Sequence, residues 1–365
     1  MIEIKEVTRE NIAEFLKLPV KIYKNDPEWV HPIDEDEELF FSDSNPCWDN
    51  VKKKLFIAIK NKETVGRIAA FIDPFYQKIE KVGYFGCFES INDKEVAKAL
   101  LNAAEQYIKQ NKIKEIWGPI DGNIGHKCGL LLEHEPQIIA PLMNYHPKYY
   151  KDLMKSCKLK KLVDTLSYKI DISQVKDKDL VINQPTHIHF RPIRNDKVVD
   201  DCHIGTKIIN AAFKPTKHTL FRPHKIEEAE FQWKDVPMLN NPHLAFFIYD
   251  EKKKKDCGLV LSFPNVNIIV KHFKGKLNFI NKIKFIFNRN KIGEVKSDIM
   301  AVLPEYKGKG LGKLMMVKLL RNMKEQGFQT LEYSWVLETN KISRKIAEHY
   351  GGKIDKKYRI YQKKI

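Results

Sequence analysis

The stretch SDIMAVLPEYKGKGLGKLMMVKLL, Ser297 to Leu320, decides how this chain is read. An apolar run closes on Pro304, glycines follow at positions 308, 310 and 312, and apolar residues then recur at three- and four-residue spacing. That is a strand, a loop and a helix. A dinucleotide fingerprint would need G-x-G-x-x-G, but its third glycine falls on Lys313 counted from Gly308 and on Met315 counted from Gly310. The G-x-x-x-x-G-K-S/T phosphate loop fails as well. What remains is K-G-K-G-L-G, Lys307 to Gly312. Alternate glycines let several backbone N–H groups converge at a helix N-terminus, where the helix dipole also favours an anion. A pyrophosphate fits that concavity, and so does a glycine-rich turn with no ligand.

Working outward, the chain has 365 residues, 43% of them hydrophobic, so two domains of ordinary size, each with its own core, are expected. No apolar run approaches the roughly 18 residues of a membrane span, and the opening MIEIKEVTREN lacks the apolar centre of a signal peptide. A cytoplasmic protein is the expectation. Cys47, Cys87, Cys128, Cys157, Cys202 and Cys257 are scattered with no C-x-x-C pair, which argues against a disulfide framework and a structural zinc site. His187 and His189 share a strand face, but no third ligand is near in sequence, and no metal is expected.

Lysine and arginine number 64 against 47 acidic residues, a formal charge of +17, which invites a polyanion partner. Only nine of the 64 are arginine, and phosphate and base readout favours arginine forks, so nucleic acid is not the expected partner. The run EKKKKD, Glu251 to Asp256, lies between strand-like LAFFIY and CGLVLSF and reads as an exposed hairpin turn. The segment KHFKGKLNFINKIKFIFNRNK, Lys271 to Lys291, mixes bases with aromatics and is compatible with membrane or RNA contact. A long edge hairpin, or a lid over the acceptor pocket, is the more ordinary reading.

Both halves show one order of elements. In the first, the hairpin Leu55 to Asp73 turns at KNKE and leads to the strand VGYFGCFES, the helix DKEVAKALLNAAEQYIKQN and the strand EIWGPI. In the second, HIHFRPI, a helix over VVDDCHIGTKIINAAF, the EKKKKD hairpin, the strand DIMAVL, a helix from Leu311 to about Gln326 and the strand TLEYSWVL follow the same plan. The polar stretch DISQVKDKDLVINQPT suggests the boundary, giving domains of residues 1–170 and 171–365.

VLPEYKGKGLGKLMM resembles the acetyl-CoA-binding motif of the GNAT superfamily of N-acetyltransferases, Q/R-x-x-G-x-G/A, with Lys307, Gly310 and Gly312 at its three defined positions and Lys in place of Gln or Arg. Downstream, VLETNKISRKIAEHYGGKI resembles the second motif of that superfamily: a strand end, an Asn near the cofactor, then a helix ending in Gly. NPCW, VGRIAAF, GYFGCFES, NYHPKYY and KKYRIYQK are similar to a group of bacterial tandem proteins of the superfamily. The resemblance implies an α/β (α+β) fold: two tandem GNAT-like domains, each a mixed, mostly antiparallel sheet flanked by helices, with splayed central strands. In the first half the corresponding loop reads INDKEV, without glycine, so a degenerate domain that lacks the phosphate loop is expected there.

The resemblance further implies an N-acyltransferase that uses acetyl-CoA or another acyl-CoA as cosubstrate. An amine on a small-molecule or peptide acceptor, bound between the halves, attacks the thioester directly. The implied cofactor contacts are Ala301, Val302 and Leu303, whose strand supplies a backbone N–H to the oxyanion, the loop residues Lys307, Gly308, Lys309, Gly310, Leu311, Gly312 and Lys313, and Asn340. The superfamily's proton-donating tyrosine falls on Ala347, and Tyr350, about one helical turn away, is the alternative donor or a packed aromatic. Asp298 and Glu338 are the carboxylates nearest in sequence that could serve as base. Two other readings stand beside this one: a non-catalytic acyl-CoA-binding module, and a basic binder of RNA or a membrane surface.

Overall fold

The computed structural model describes residues 1–123, 125–216, 219–234 and 236–365. The chain opens with β1 (Ile2–Glu6), α1 (Ile12–Ile22), α2 (Asp34–Phe41), β2 (Lys52–Lys60), β3 (Glu63–Ile72), α3 (Pro74–Ile79), β4 (Gly83–Ser90) and α4 (Lys94–Gln110). Then come β5 (Glu115–Gly118), β6 (Ile120–Asp121), β7 (Lys127–Cys128), β8 (Leu130–His134), α5 (Tyr150–Ser156) and β9 (Lys160–Asp171). The later elements are β10 (Ile188–Pro192), α6 (Val198–Ala212), α7 (Ile226–Trp233), α8 (Val236–Leu239), β11 (Phe246–Asp250), β12 (Lys255–Pro264), α9 (Asn267–Val270) and α10 (Phe279–Asn288). The chain closes with β13 (Glu294–Val302), α11 (Leu311–Glu325), β14 (Thr330–Leu337), α12 (Lys341–His349) and β15 (Lys353–Lys364).

Contacts group the chain into two compact units. One comprises Met1–Thr165, Asn267–Ile283 and Lys356–Ile365, and the other Leu166–Val266 and Lys284–Asp355. In the first unit, β1 to β4 pair antiparallel in sequence order, β4 pairs β5 in parallel, and β5 and β8 pair antiparallel with β15. Asn61 and Lys62, both at positive φ, make the β2–β3 turn. Such a turn matches the right-handed twist of paired strands. Along α4, Val96, Ala97, Leu100, Leu101, Ala104 and Ile108 recur at helical spacing and are buried against Phe56, Ile68, Phe85 and Ile116 of the sheet.

In the second unit, β10, β11, β12 and β13 are antiparallel neighbours, and β14 joins β13 in parallel. Alternation assigns the two faces. Phe246, Ile248 and Val260 pack with Leu311, Met315, Leu319 and Met323 of α11, whereas Phe247, Leu259 and Ala301 pack with Ile208 and Ile209 of α6 and Trp233 of α7. The sheet is therefore apolar on both sides, with one helix layer on each.

The segment expected as an edge hairpin or a lid is not a hairpin, because it carries the helix α10. Its apolar residues at 279, 280, 283, 286 and 287 follow a helix period, and strand alternation is absent. Elsewhere the order read from sequence is the order observed, with each sheet mostly antiparallel.

Candidate active site

β13 is paired on both edges for only part of its length. Toward β14 the parallel register runs Glu294↔Thr330, Val295↔Leu331, Lys296↔Glu332 and Ser297↔Tyr333, and it stops there, although β13 continues to Val302 and β14 to Leu337. Toward β12 the register slips between Leu261 and Ser262, which leaves Asp298 as the extra residue of a β-bulge. A bulge bends its strand, and past this one the two parallel strands part. Beyond it the Leu303 N–H donates to the Cys257 carbonyl at 2.9 Å. Strand alternation then turns the Ala301 amide toward β12 too and points the Met300 and Val302 amides into the opening.

The glycine loop follows directly. Pro304–Tyr306 forms one 3-10 turn, Lys307 is extended, and Gly308 and Gly310 both sit at φ +78, a region that favours glycine. Gly310 is the N-cap of α11 and has no side chain to cap it, so the first intrahelical bond is Leu314 N–H to the Gly310 carbonyl at 3.0 Å. The amides of Leu311, Gly312 and Lys313 precede that bond and lack intrahelical acceptors. A Cβ built on Gly308, Gly310 or Gly312 would meet no atom within 4 Å, so space lies open over the amides. An uncapped helix start with open space beside it is the kind of place that attracts an anion.

The rim is basic. Lys309, Lys253 and Lys255 place their ammonium groups 5.3, 4.8 and 5.8 Å from the ring centre of Tyr306. Tyr306 is buried and donates its hydroxyl to Asp250 at 2.6 Å; burial first, then this bond, push the hydroxyl's pKa well up. Lys307 turns elsewhere, donating to the Ala212 carbonyl at the end of α6 at 2.8 Å. Lys309 and Lys313 are exposed.

Beside the opening the sheet carries polar groups where an interior normally carries none. Lys296 is 1% exposed, lies 5.5 Å from the Phe263 ring centre and donates to Asp298 Oδ1 at 2.6 Å. Its register partner Glu332 accepts from Ser167 at 2.9 Å and Ser334 at 3.2 Å. Among the described residues the buried hydroxyls of Ser262 and Ser297, which face each other across β12 and β13, have no hydrogen-bond partner. The charge of Asp298 also reaches His224, whose pKa burial holds below the usual value, with Glu228 and Asp298 opposing the shift. Nearby, Arg222 and Glu228 form a buried bidentate pair at 2.5 and 2.7 Å. Such clusters of buried charge beside a cleft are typical of functional sites.

Of the residues singled out from sequence, Asp298, Ala301 to Leu303 and Lys307 to Lys313 lie along one strand and the loop that leaves it. Asn340 is the N-cap of α12 and accepts the Ser343 N–H at 3.1 Å. Glu338 lies just past β14, and its carbonyl accepts from Arg344 at 3.1 Å. Tyr350 is 4% exposed and packs in the core beside α11. Its hydroxyl has no partner among the described residues, and its pKa is raised first by burial and then by the charge of Asp179. Sequence reasoning passed over Lys296, Glu332, His224 and Tyr333. Tyr333 stands on the last shared rung, and burial raises the pKa of its hydroxyl, with Ser343 opposing the shift.

The first unit repeats the plan with the opening filled. β4 and β5 share only the rungs Gly83↔Ile116 and Tyr84↔Trp117, and the β3–β4 register slips between Arg67 and Ala69. There the Asp121 carboxylate accepts the Cys87 N–H at 2.6 Å, and a Cβ at Gly86 would lie 2.1 Å from the Ile120 carbonyl oxygen. The helix that follows, α4, is capped by its own carboxylate: Asp93 accepts from the Glu95 and Val96 amides at 2.9 and 3.4 Å and pairs with Lys60 at 2.7 Å.

Residues 221–351 match the model of the Acetyltransferase (GNAT) family. The chain is 28% identical over 375 residues to the bacterial ceramide synthase of Caulobacter vibrioides, covering 98% of this chain and 96% of that protein. It is 24% identical to protein YghO of Escherichia coli, covering 98% and 94%. Among solved structures, a tandem GNAT protein from the clavulanic acid biosynthesis pathway superposes over 100% of this chain and 98% of its own, with a TM-score of 0.59 at 10% identity. A GCN5-related N-acetyltransferase from Sphaerobacter thermophilus covers 100% and 95%, with a TM-score of 0.55 at 10% identity.

Proposed function

Taking as premise that residues 221–351 form a GNAT-family domain in a tandem GNAT fold, we propose that this chain is an N-acyltransferase that moves an acyl group from acyl-CoA to an amine by direct attack. The observation that carries the reading is a coincidence of place. The strand whose pairing fails, with amides turned into the gap, is the strand that runs straight into the uncapped, glycine-lined start of α11. A pantetheine arm needs such a gap, and a pyrophosphate needs such a helix start.

In this reading the amides of Leu311, Gly312 and Lys313 bind the pyrophosphate, and the Val302 or Met300 amide donates to the oxygen that becomes an oxyanion as the amine adds. Asp298, oriented by Lys296, takes the proton released by the attacking nitrogen, directly or through a water. The N–C bond forms in that addition, the C–S bond breaks as the carbonyl re-forms, and the departing thiolate sulfur takes a proton from Tyr333 or from solvent. Ala347 leaves the superfamily's usual donor position without a hydroxyl. Tyr350 is the weaker donor candidate, because it packs in the core with only Asp179 bearing on its hydroxyl. The first unit serves as a partner fold without a phosphate cradle, since Asp93 puts a carboxylate where a phosphate would sit.

The name of the Caulobacter vibrioides relative, a ceramide synthase, supports an amino group on a long-chain lipid as the acceptor and a long acyl chain as the donor. The test is release of free thiol by the purified chain from palmitoyl-CoA and from acetyl-CoA, with sphinganine, spermidine or a peptide amine as acceptor. Turnover with sphinganine and palmitoyl-CoA alone is the expected result. Tight CoA binding with no turnover on any pair would replace the enzyme by a non-catalytic acyl-CoA-binding module.

A further inference from the structure

We propose that α10 docks this chain on an anionic membrane surface, lying in the plane of the lipid headgroups. Phe279, Ile280, Ile283, Ile286 and Phe287 are exposed to 77, 62, 38, 58 and 75%. At about 100° per residue they fall within one arc of about 120°, while Asn281 and Phe285, on the opposite side, are buried. The helix thus satisfies its inward face and leaves an apolar outward face in water. Large exposed aromatics on one face are costly unless something covers them.

Charge says what covers it. Lys282 and Lys284, both exposed, flank the apolar arc on its two sides, as in helices that sink their apolar face while lysines reach the headgroups. Lys274, Lys276, Arg289 and Lys291 extend the basic band at either end, and no acidic residue occurs between Asp256 and Glu294. That complements anionic lipid. The stretch that leads into α10 is fixed to the first unit: Asn267 donates to the Ile139 carbonyl at 2.8 Å, and the Asp34 amide to the Gly275 carbonyl at 2.8 Å. The proposal is independent of the acyl-transfer reading, because docking requires neither acyl-CoA nor an acceptor.

The test is co-sedimentation of the full chain with vesicles of equal parts phosphatidylglycerol and phosphatidylcholine, and with phosphatidylcholine alone, at low and high salt. The wild type should bind the anionic vesicles, and much less the neutral ones. A Phe279→Ser/Phe287→Ser variant should lose binding by at least about tenfold at either salt, with unchanged thermal unfolding. A Lys282→Gln/Lys284→Gln variant should lose binding chiefly at low salt. Absence of wild-type binding, or a double serine variant that binds as well as wild type, overturns the proposal. So would capture by single-stranded RNA but not by vesicles. A wild-type dimer that the serine variant dissolves, again without vesicle binding, would assign the face to a second copy of the chain and overturn it equally.

Discussion

Gly312→Ala separates ligand recognition from folding more cleanly than any other change in the loop. Gly308 and Gly310 sit at φ +78, so a side chain at either costs about 1–2 kcal/mol in backbone strain and confounds the result. Gly312 carries no such constraint, lies inside the first turn of α11, and has nothing within 4 Å of its would-be Cβ. Alanine there should leave stability unchanged or raise it by up to about 1 kcal/mol through helix propensity. The same methyl fills the space over the amides and holds a phosphate oxygen away from one charge-assisted N–H contact, worth about 1.5–3 kcal/mol. The expected outcome is therefore an equal or higher unfolding temperature without ligand, together with CoA affinity weakened by about 10- to 150-fold. Thermal unfolding with and without CoA gives the first quantity and titration calorimetry the second. A folded Gly312→Ala variant that binds CoA within about threefold of wild type would show that the pyrophosphate does not lie on this helix start.

Asp298→Asn keeps the bulge and the contact with Lys296 but removes the base, so turnover should fall by about a hundredfold or more with CoA affinity unchanged; equal turnover removes Asp298 from the chemistry. Tyr350→Phe deletes a buried hydroxyl that has no partner among the described residues, and should be neutral or stabilising with turnover within about threefold, whereas Tyr333→Phe should slow turnover without unfolding the chain. The reverse ranking in steady-state kinetics would return the proton to Tyr350. His146 is buried, accepts the Leu131 N–H at Nδ1, and has its pKa lowered by burial to about 3. Its unfolded value is about 6.5, so between those limits the unfolded chain binds the extra proton and stability falls as pH falls. Acidifying from pH 7 to 5 should cost about 2 kcal/mol at this residue. Denaturant unfolding of His146→Asn should show that much less acid sensitivity, and an unchanged slope would refute the assignment.

Much of this was legible because local chemistry and fold agree. The alternating glycines, Pro304 and the spacing of Leu314, Met315, Leu319 and Met323 each have one ordinary reading, and the strand, loop and helix appear where those readings put them. The hairpins at Asn61 and at Glu251 to Asp256 were legible for the same reason. Lys296 was not. A lysine in VKSD reads as solvent-facing, and only the placement of Phe263 and the Asp298 bulge buries it. The bulge itself left no mark, since the extra residue is defined by register against β12 and not by its own identity. Tyr333 was hidden because a tyrosine in an apolar strand reads as core, and only the register of β13 and β14 puts it on the last shared rung. The helical period of the 279–288 stretch was available in the sequence, but its place between two strands drew the reading toward a hairpin.

The contrast between the starts of α4 and α11 has a thermodynamic side. Asp93 closes its helix with an anion built into the chain, so that end is complete as soon as the unit folds. Gly310 gives α11 no such closure from within the chain. In the acyltransferase reading, the cosubstrate's phosphates therefore act as the missing cap of α11, and the last turn of order in the second unit becomes a property of the bound state. Evolution could then tune affinity there by changing how well the empty helix holds itself together, without touching any residue that meets the ligand.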